Sequence, residues 1–281
     1  MKFNEFEVLS ALAEGVDVPS DPVTLTALEA DGLIAGGKVT EVGLEALEPY
    51  RVKRAVVLAA GFGSRLVPIT LNTPKPLVRV MGERMVDTVL DAVYSAGIEE
   101  VYIVRGYRGE QFDQLLYKYP DLRFVENPMF GESNNISSLV AARYLLPGSY
   151  VIEGDLLVRN PFVVRRYQYR SNYLAIPMER SDDWCFRVRD GLIEKVCVGG
   201  DGGVWQMVGL SYWTEADGRK LVDDLPAVMA EPGGRERYWD EVPLTYRADR
   251  YEVAVRECSR EDIVEIDTYR ELQALDSAYA Q

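Results

Sequence analysis

Four apolar residues, Ala55-Val56-Val57-Leu58, lead into Gly61-Phe62-Gly63-Ser64-Arg65, and Lys75 follows in the same segment. A glycine loop directly after a buried strand turns backbone N–H groups toward one point, and Arg65 and Lys75 add positive charge there. The chemistry this favours is the holding of a polyphosphate. Glycine-rich turns after strands are also common structural features, so GFGSRL by itself leaves both readings open. The loop is not a Walker A motif, because GxxxxGK[ST] is absent, and it lacks the third glycine of the GxGxxG dinucleotide fingerprint.

The chain has 281 residues and no histidine. That excludes a Ser-His-Asp triad, a histidine zinc site and a histidine general acid or base, so nucleotide chemistry here must use carboxylates, lysine, arginine and metal. With 31 basic against 45 acidic residues the formal charge is −14. A surface of that sign repels a nucleic-acid backbone, which is bound largely through Lys and Arg, so nucleic acid is not an expected partner. Cys185, Cys197 and Cys258 are too widely spaced for a CxxC pair and read as reduced thiols. No apolar run approaches the roughly 18 residues of a membrane helix, and Glu5 and Glu7 stand where a signal peptide would be apolar. A soluble, cytoplasmic protein is expected.

The elements around the loop read as α/β from Arg54 onward. Met85 to Ala96 carries Val86, Val89, Leu90 and Val93 at helical spacing, and Gly97 is placed to stop it. Val101 to Val104 reads as a strand, Gln111 to Lys118 as a helix, Leu122 to Val125 as a strand, Ser137 to Leu146 as a helix and Tyr150 to Ile152 as a strand. Alternation of this kind implies a parallel sheet with right-handed crossovers. Beyond about Asn172 the sequence is richer in strands, so a mixed extension of the sheet is expected.

The first fifty residues differ, with Lys2 and Lys38 alone against ten acidic residues. Phe3, Phe6, Leu9 and Leu12 form the stripe of one helix ending at Gly15. Leu25 to Ile34 suggests a second, Gly36-Gly37 a turn, and Val42 to Leu47 a third. LEADGLI (Leu28 to Ile34) followed by KVTEVGLEAL (Lys38 to Leu47) resembles part of a winged-helix regulator. Between Gly15 and Leu25 there is too little chain for a full helix-turn-helix, and VDVPSDP places two prolines where a helix is needed. The expected organisation is a degenerate winged-helix-like domain over residues 1–52 and a catalytic domain over 53–281, the former a packing or regulatory appendage.

Taken whole, LAAGFGSRLVPITLNTPKPLV (Leu58 to Val78) is similar to the signature of nucleotidyltransferases that make sugar nucleotides and related activated headgroups, and the chain also resembles the bacterial CTP:phosphocholine cytidylyltransferases. The resemblance spans roughly Arg54 to Leu275. It implies a Rossmann-like nucleotidyltransferase fold with a mixed sheet, in which Leu58, Ala59, Ala60, Gly61, Gly63 and Ser64 form the nucleotide loop and Arg65 and Lys75 act on the phosphates. ENPMFGESNNISSL (Glu126 to Leu139) resembles the family's element beside the base, which implies Asn134, Asn135 and Ser138; read alone, Asn134-Asn135 would equally cap the helix at Ser137. VIEGD (Val151 to Asp155) stands where the family has Asp-Ala-Asp, with Glu153 and Gly154 departing from that pattern, and implies Asp155 as a catalytic ligand of Mg²⁺. DIVEIDTYREL (Asp262 to Leu272) resembles the C-terminal segment that brings a second carboxylate, implying Asp267 and, beside it, Glu265. Residues two apart on a strand share a face, although Asp267 read alone would cap the helix that follows.

For the acceptor the resemblance implies Trp184, Tyr238 and Asp240, since aromatic faces and a nearby carboxylate hold a quaternary ammonium. Aromatic residues are plentiful in this chain, and each alone is more often core than cage; Trp239 reads as core. The reaction implied is CMP transfer from CTP to phosphocholine with Mg²⁺, giving CDP-choline and pyrophosphate. Phosphoethanolamine or 2-aminoethylphosphonate is the nearest alternative acceptor, with Asp182 and Asp183 as extra carboxylates for a primary amine. A sugar 1-phosphate is a more distant one, and a nucleotide-sensing transcriptional regulator is the alternative outside enzymes.

Overall fold

The computed structural model describes residues 1–17 and 21–280. The chain forms two compact units: Met1–Val52 with Val164–Tyr169, and Lys53–Val163 with Arg170–Gln281.

The larger unit is built on a seven-stranded sheet. Its strands are β1 (Arg54–Ala59), β2 (Glu100–Arg105), β3 (Arg123–Glu126), β4 (Ser149–Glu153), β5 (Asn172–Arg189), β6 (Leu192–Trp213) and β7 (Ala254–Glu257). The spatial order is β5-β7-β6-β4-β1-β2-β3. Strands β4, β1, β2 and β3 pair in parallel, whereas β6 runs antiparallel to β4 and β5, so the expected parallel core and mixed extension are both present. Ala55 to Ala59 are all buried, which explains why β1 reads as a continuous apolar run rather than an alternating one.

The helix Met85–Ser95 buries Val86, Val89, Leu90 and Val93, and Gly97 beyond its end takes a left-handed conformation. The helix expected over Gln111–Lys118 is instead a 3₁₀ helix, Gly109–Tyr117. Its buried residues Gly109, Phe112 and Leu115 recur every third position, the repeat of a 3₁₀ turn. The helix expected over Ser137–Leu146 is α-helical only for Ile136–Ala142 and tightens to 3₁₀ over Arg143–Leu145. One continuous core joins the sheet to the helices Ile136–Ala142 and Glu215–Met229 and includes the fully buried rings of Tyr173, Phe186, Trp213 and Trp239.

The smaller unit contains helices Phe3–Glu14, Pro22–Ala30 and Glu41–Leu47 and a short hairpin, Ile34–Ala35 with Lys38–Val39. Pro22 opens its helix behind an Asp21 cap instead of breaking one, because the first helical turn needs no N–H there. The other proline of the Val16–Pro22 segment lies within residues 18–20, outside the described residues. The unit also takes in Val164–Tyr169, which sequence patterning placed with the catalytic domain: Tyr169 stacks on Tyr50 at 5.3 Å, Val52 N–H donates to the Arg166 carbonyl, and Arg165 pairs with Glu14.

Candidate active site

The C-terminal ends of β1 and β4 lie side by side, where ligands bind in open α/β sheets. From β1 the chain enters the glycine loop, and from β4 it enters Gly154-Asp155, with the Gly154 N–H donating to the Leu58 carbonyl at 2.9 Å. Gly63 takes a left-handed φ of 67°, and a Cβ there would come within 2.9 Å of the Lys75 Cβ. The loop is therefore closed against Lys75, and the Thr70 hydroxyl donates to the Gly63 carbonyl at 2.9 Å.

A second strand pair brings the distant carboxylates in. Leu156–Val158 pairs antiparallel with Ile263–Glu265, opposing Leu156 to Glu265. Ile266 is fully buried among Leu66, Val78, Met85 and Leu272, worth about 2 kcal/mol of apolar burial. With Ile266 turned in, Glu265 and Asp267 turn out, although Asp267 stands just beyond the strand's end. Carboxylate oxygens of Asp155, Glu265 and Asp267 all lie within 4.8 Å of one another. The cap of the helix Tyr269–Leu275 is Thr268, with Glu271 completing a capping box, so Asp267 is not spent as a cap.

Lys75 is buried among these carboxylates, its Nζ donating to Asp155 Oδ2 at 2.5 Å and to Asp267 Oδ1 at 3.0 Å. Burial opposes its charge, but the two carboxylates outweigh burial and hold its pKa above the ordinary value. Arg65, largely exposed, donates to the same Asp267 oxygen at 2.6 Å. Both cations expected to meet phosphate are thus held by carboxylates in this structure. Asp155 Oδ1 is buried and has no partner among the described residues. An unpaired carboxylate oxygen beside two further carboxylates fits a hard divalent cation.

All the expected loop and headgroup residues converge on one cavity of about 470 Å³, lined by Leu58, Ala59, Ala60, Gly61, Gly63, Ser64, Arg65 and Lys75 on one side and by Trp184, Tyr238 and Asp240 elsewhere on its wall. Asn134, Asn135 and Ser138 line it as well. Asn135 stands at the N-cap of the helix Ile136–Ala142, but its side chain makes no capping bond. Its Oδ1 accepts from the Trp239 N–H at 2.9 Å and its Nδ2 donates to Glu153 Oε1 at 3.3 Å. Asn134 Nδ2 donates to the Glu236 carbonyl at 3.0 Å, and Ser138 Oγ accepts from the buried Asn127 amide at 3.0 Å.

The rings of Trp184 and Tyr238 meet edge to face at 5.6 Å, and Asp183 lines the cavity beside them, whereas Asp182 is exposed and pairs with Arg180. Asp240 is buried, its Oδ1 has no partner among the described residues, and burial pushes its pKa up to about 7. Glu153 is pushed up to about 8, first by desolvation and then by the charge of Asp155. Desolvation is the largest cause of both shifts, and a cation placed beside either carboxylate favours its ionised form.

Sequence reasoning missed Asn127, Phe130, Ser133, Tyr173, Met207 and Gly209 of the lining, and it noted Glu153 only as a departure from the resembled pattern. Glu153 lies outside the group of three oxygens that converge and bonds to Asn135 and Trp239 instead. Trp239 is core, as expected, yet its indole N–H donates to Glu153 Oε1 at 3.2 Å.

The nucleotidyl transferase family matches residues 54–160. Over 229 residues the chain is 34% identical to the 2-aminoethylphosphonate cytidylyltransferase of Lancefieldella rimae, an alignment covering 80% of this chain and 92% of that one. It is 32% identical to the choline-phosphate cytidylyltransferase of Streptococcus pneumoniae, covering 79% and 96%. The solved structure of CTP:phosphocholine cytidylyltransferase from Streptococcus pneumoniae superposes with a TM-score of 0.74 at 30% identity, over 81% of this chain and 99% of that one. These likenesses give the α/β nucleotidyltransferase fold and do not bear out a winged helix in the first fifty residues, which precede the family match.

Proposed function

Because the chain belongs to the nucleotidyl transferase family and is a cytidylyltransferase within it, we propose that it transfers CMP from CTP to the phosphate or phosphonate of a small amine. The observation that carries this reading is Asp240: a buried carboxylate with an unpaired oxygen, lining the same cavity as the glycine loop and the Asp155, Glu265, Asp267 group. An ammonium on the acceptor gives that oxygen its partner.

Ala60, Gly61, Gly63 and Ser64 would turn backbone N–H groups to the triphosphate, and Asn134, Asn135 and Ser138, which line the same cavity, would meet the base. Asp155, Glu265 and Asp267 would hold Mg²⁺, which supplies charge neutralisation on the phosphates when bound. Lys75 and Arg65, now turned to Asp155 and Asp267, carry the positive charge that meets the leaving pyrophosphate. An acceptor oxygen attacks the α-phosphorus in line, the bond to the β-phosphate oxygen breaks, and pyrophosphate leaves. That oxygen is already ionised at neutral pH, so no general base is required, in keeping with a chain that has no histidine.

Two acceptors fit specific features. The edge-to-face Trp184–Tyr238 pair suits the quaternary ammonium of phosphocholine, and the carboxylates of Asp240, Asp183 and Glu153 suit a primary ammonium such as that of 2-aminoethylphosphonate. Mass spectrometry of reactions containing CTP, Mg²⁺ and each acceptor tests the proposal. A CMP–acceptor adduct with an amine-bearing acceptor is expected, and adducts only with sugar 1-phosphates would refute it.

A further inference from the structure

Glu153 is held as a presented group rather than as a metal ligand. Both donors that reach it, Asn135 Nδ2 and Trp239 Nε1, converge on Oε1, and no described residue donates to Oε2. The side chain lines the cavity, in which the buried Oδ1 of Asp240 also lacks a partner. Across the sheet on β6, Gly209 makes room for it: a Cβ at that position would stand 2.6 Å from Glu153 Cγ. At the end of β4 this chain thus has a long acid, a glycine that accommodates it and two donors that fix one of its oxygens.

We infer that Glu153 is a specificity-determining residue, its Oε2 accepting a hydrogen bond from the ammonium of a primary-amine acceptor. The inference rests on the cytidylyl-transfer reading above and adds a choice within it. A primary ammonium carries three N–H donors, one of which Glu153 Oε2 can accept, whereas a quaternary ammonium has none to give. Gly209 is the positioning residue that permits this placement.

The test is steady-state kinetics on the full chain with Mg²⁺, CTP and either 2-aminoethylphosphonate or phosphocholine, for the unaltered protein, Glu153→Gln and Gly209→Ala. Loss of a hydrogen bond between charged groups is expected to raise the Glu153→Gln KM for 2-aminoethylphosphonate about 10- to 100-fold. The ratio of kcat/KM for the primary over the quaternary amine should fall by a similar factor. KM for CTP and Mn²⁺ affinity by electron paramagnetic resonance should stay nearly unchanged, a split that a merely structural role would not give. Gly209→Ala should lower the same ratio, and it decides the matter if Glu153→Gln does not fold. An unchanged ratio in folded variants overturns the inference alone, as does a matched loss of Mn²⁺ affinity, which would return Glu153 to the metal. Failure of the unaltered protein to turn over either amine overturns the proposed function and this inference with it.

Discussion

Replacing Asp240 by Asn should weaken the site and, at alkaline pH, strengthen the fold. Asp240 is 7% exposed, its buried Oδ1 has no partner among the described residues, and burial raises its pKa from 3.8 to about 7. A folded-state pKa above the unfolded one means that the native protein binds the extra proton between those values. The stability is intact below 3.8 and is lost as pH rises through about 7. At about 1.4 kcal/mol per pH unit the full penalty is roughly 4 kcal/mol above pH 8, of which about 2–3 kcal/mol develops between pH 5 and 8. The amide of Asp240→Asn leaves its own unpaired N–H, a cost of about 1–3 kcal/mol that does not titrate. The informative quantity is therefore the change with pH of the stability gap between the two proteins. Urea denaturation followed by tryptophan fluorescence measures it cleanly, because Trp184, Trp205, Trp213 and Trp239 all belong to the larger unit. The gap should shift toward the variant by about 2–3 kcal/mol from pH 5 to 8, while KM for the acceptor rises. A gap that does not move with pH would show that Asp240 is hydrated or partnered and would remove it as the ammonium's counter-charge.

Three further outcomes follow from the geometry. Asp155→Asn should reduce turnover by three orders of magnitude or more, on the order expected when a metal ligand is lost, and should weaken Mn²⁺ binding measured by electron paramagnetic resonance with unchanged circular dichroism; near-normal turnover would remove Asp155 from the mechanism. Gly63→Ala places a Cβ 2.9 Å from the Lys75 Cβ at a left-handed φ, so a loss of about 1–2 kcal/mol in thermal stability is expected together with a lower kcat, whereas unaltered kinetics would disconnect the loop from Lys75. In a salt-titrated DNA-binding assay no specific complex should form, as a net charge of −14 implies, and a saturable sequence-specific complex would revive the regulator reading.

The parts legible in the sequence were those carried by contiguous residues. The run Ala55 to Leu58 with its glycines foretold a strand and loop, and the helix Met85–Ser95 declared itself through apolar spacing and Gly97. Asp155 and Asp267 were legible only because their surroundings resembled a known signature. The strand pair Leu156–Val158 with Ile263–Glu265, which brings them together, left no local trace. The same holds for Glu153, whose partners Asn135, Trp239 and Gly209 come from three separate segments. Gly109, Phe112 and Leu115 carried a three-residue repeat that a helical reading overlooked, and the recruitment of Val164–Tyr169 to the smaller unit rests on Tyr50 and Phe6 more than a hundred residues away.

The most direct test of the central claim is pyrophosphate release with Mg²⁺, crossing CTP, UTP, ATP and GTP against phosphocholine, phosphoethanolamine, 2-aminoethylphosphonate and glucose 1-phosphate. The account predicts that CTP with an amine-bearing acceptor exceeds every other pair. Preference for another nucleotide, for glucose 1-phosphate, or no release with any pair would contradict it.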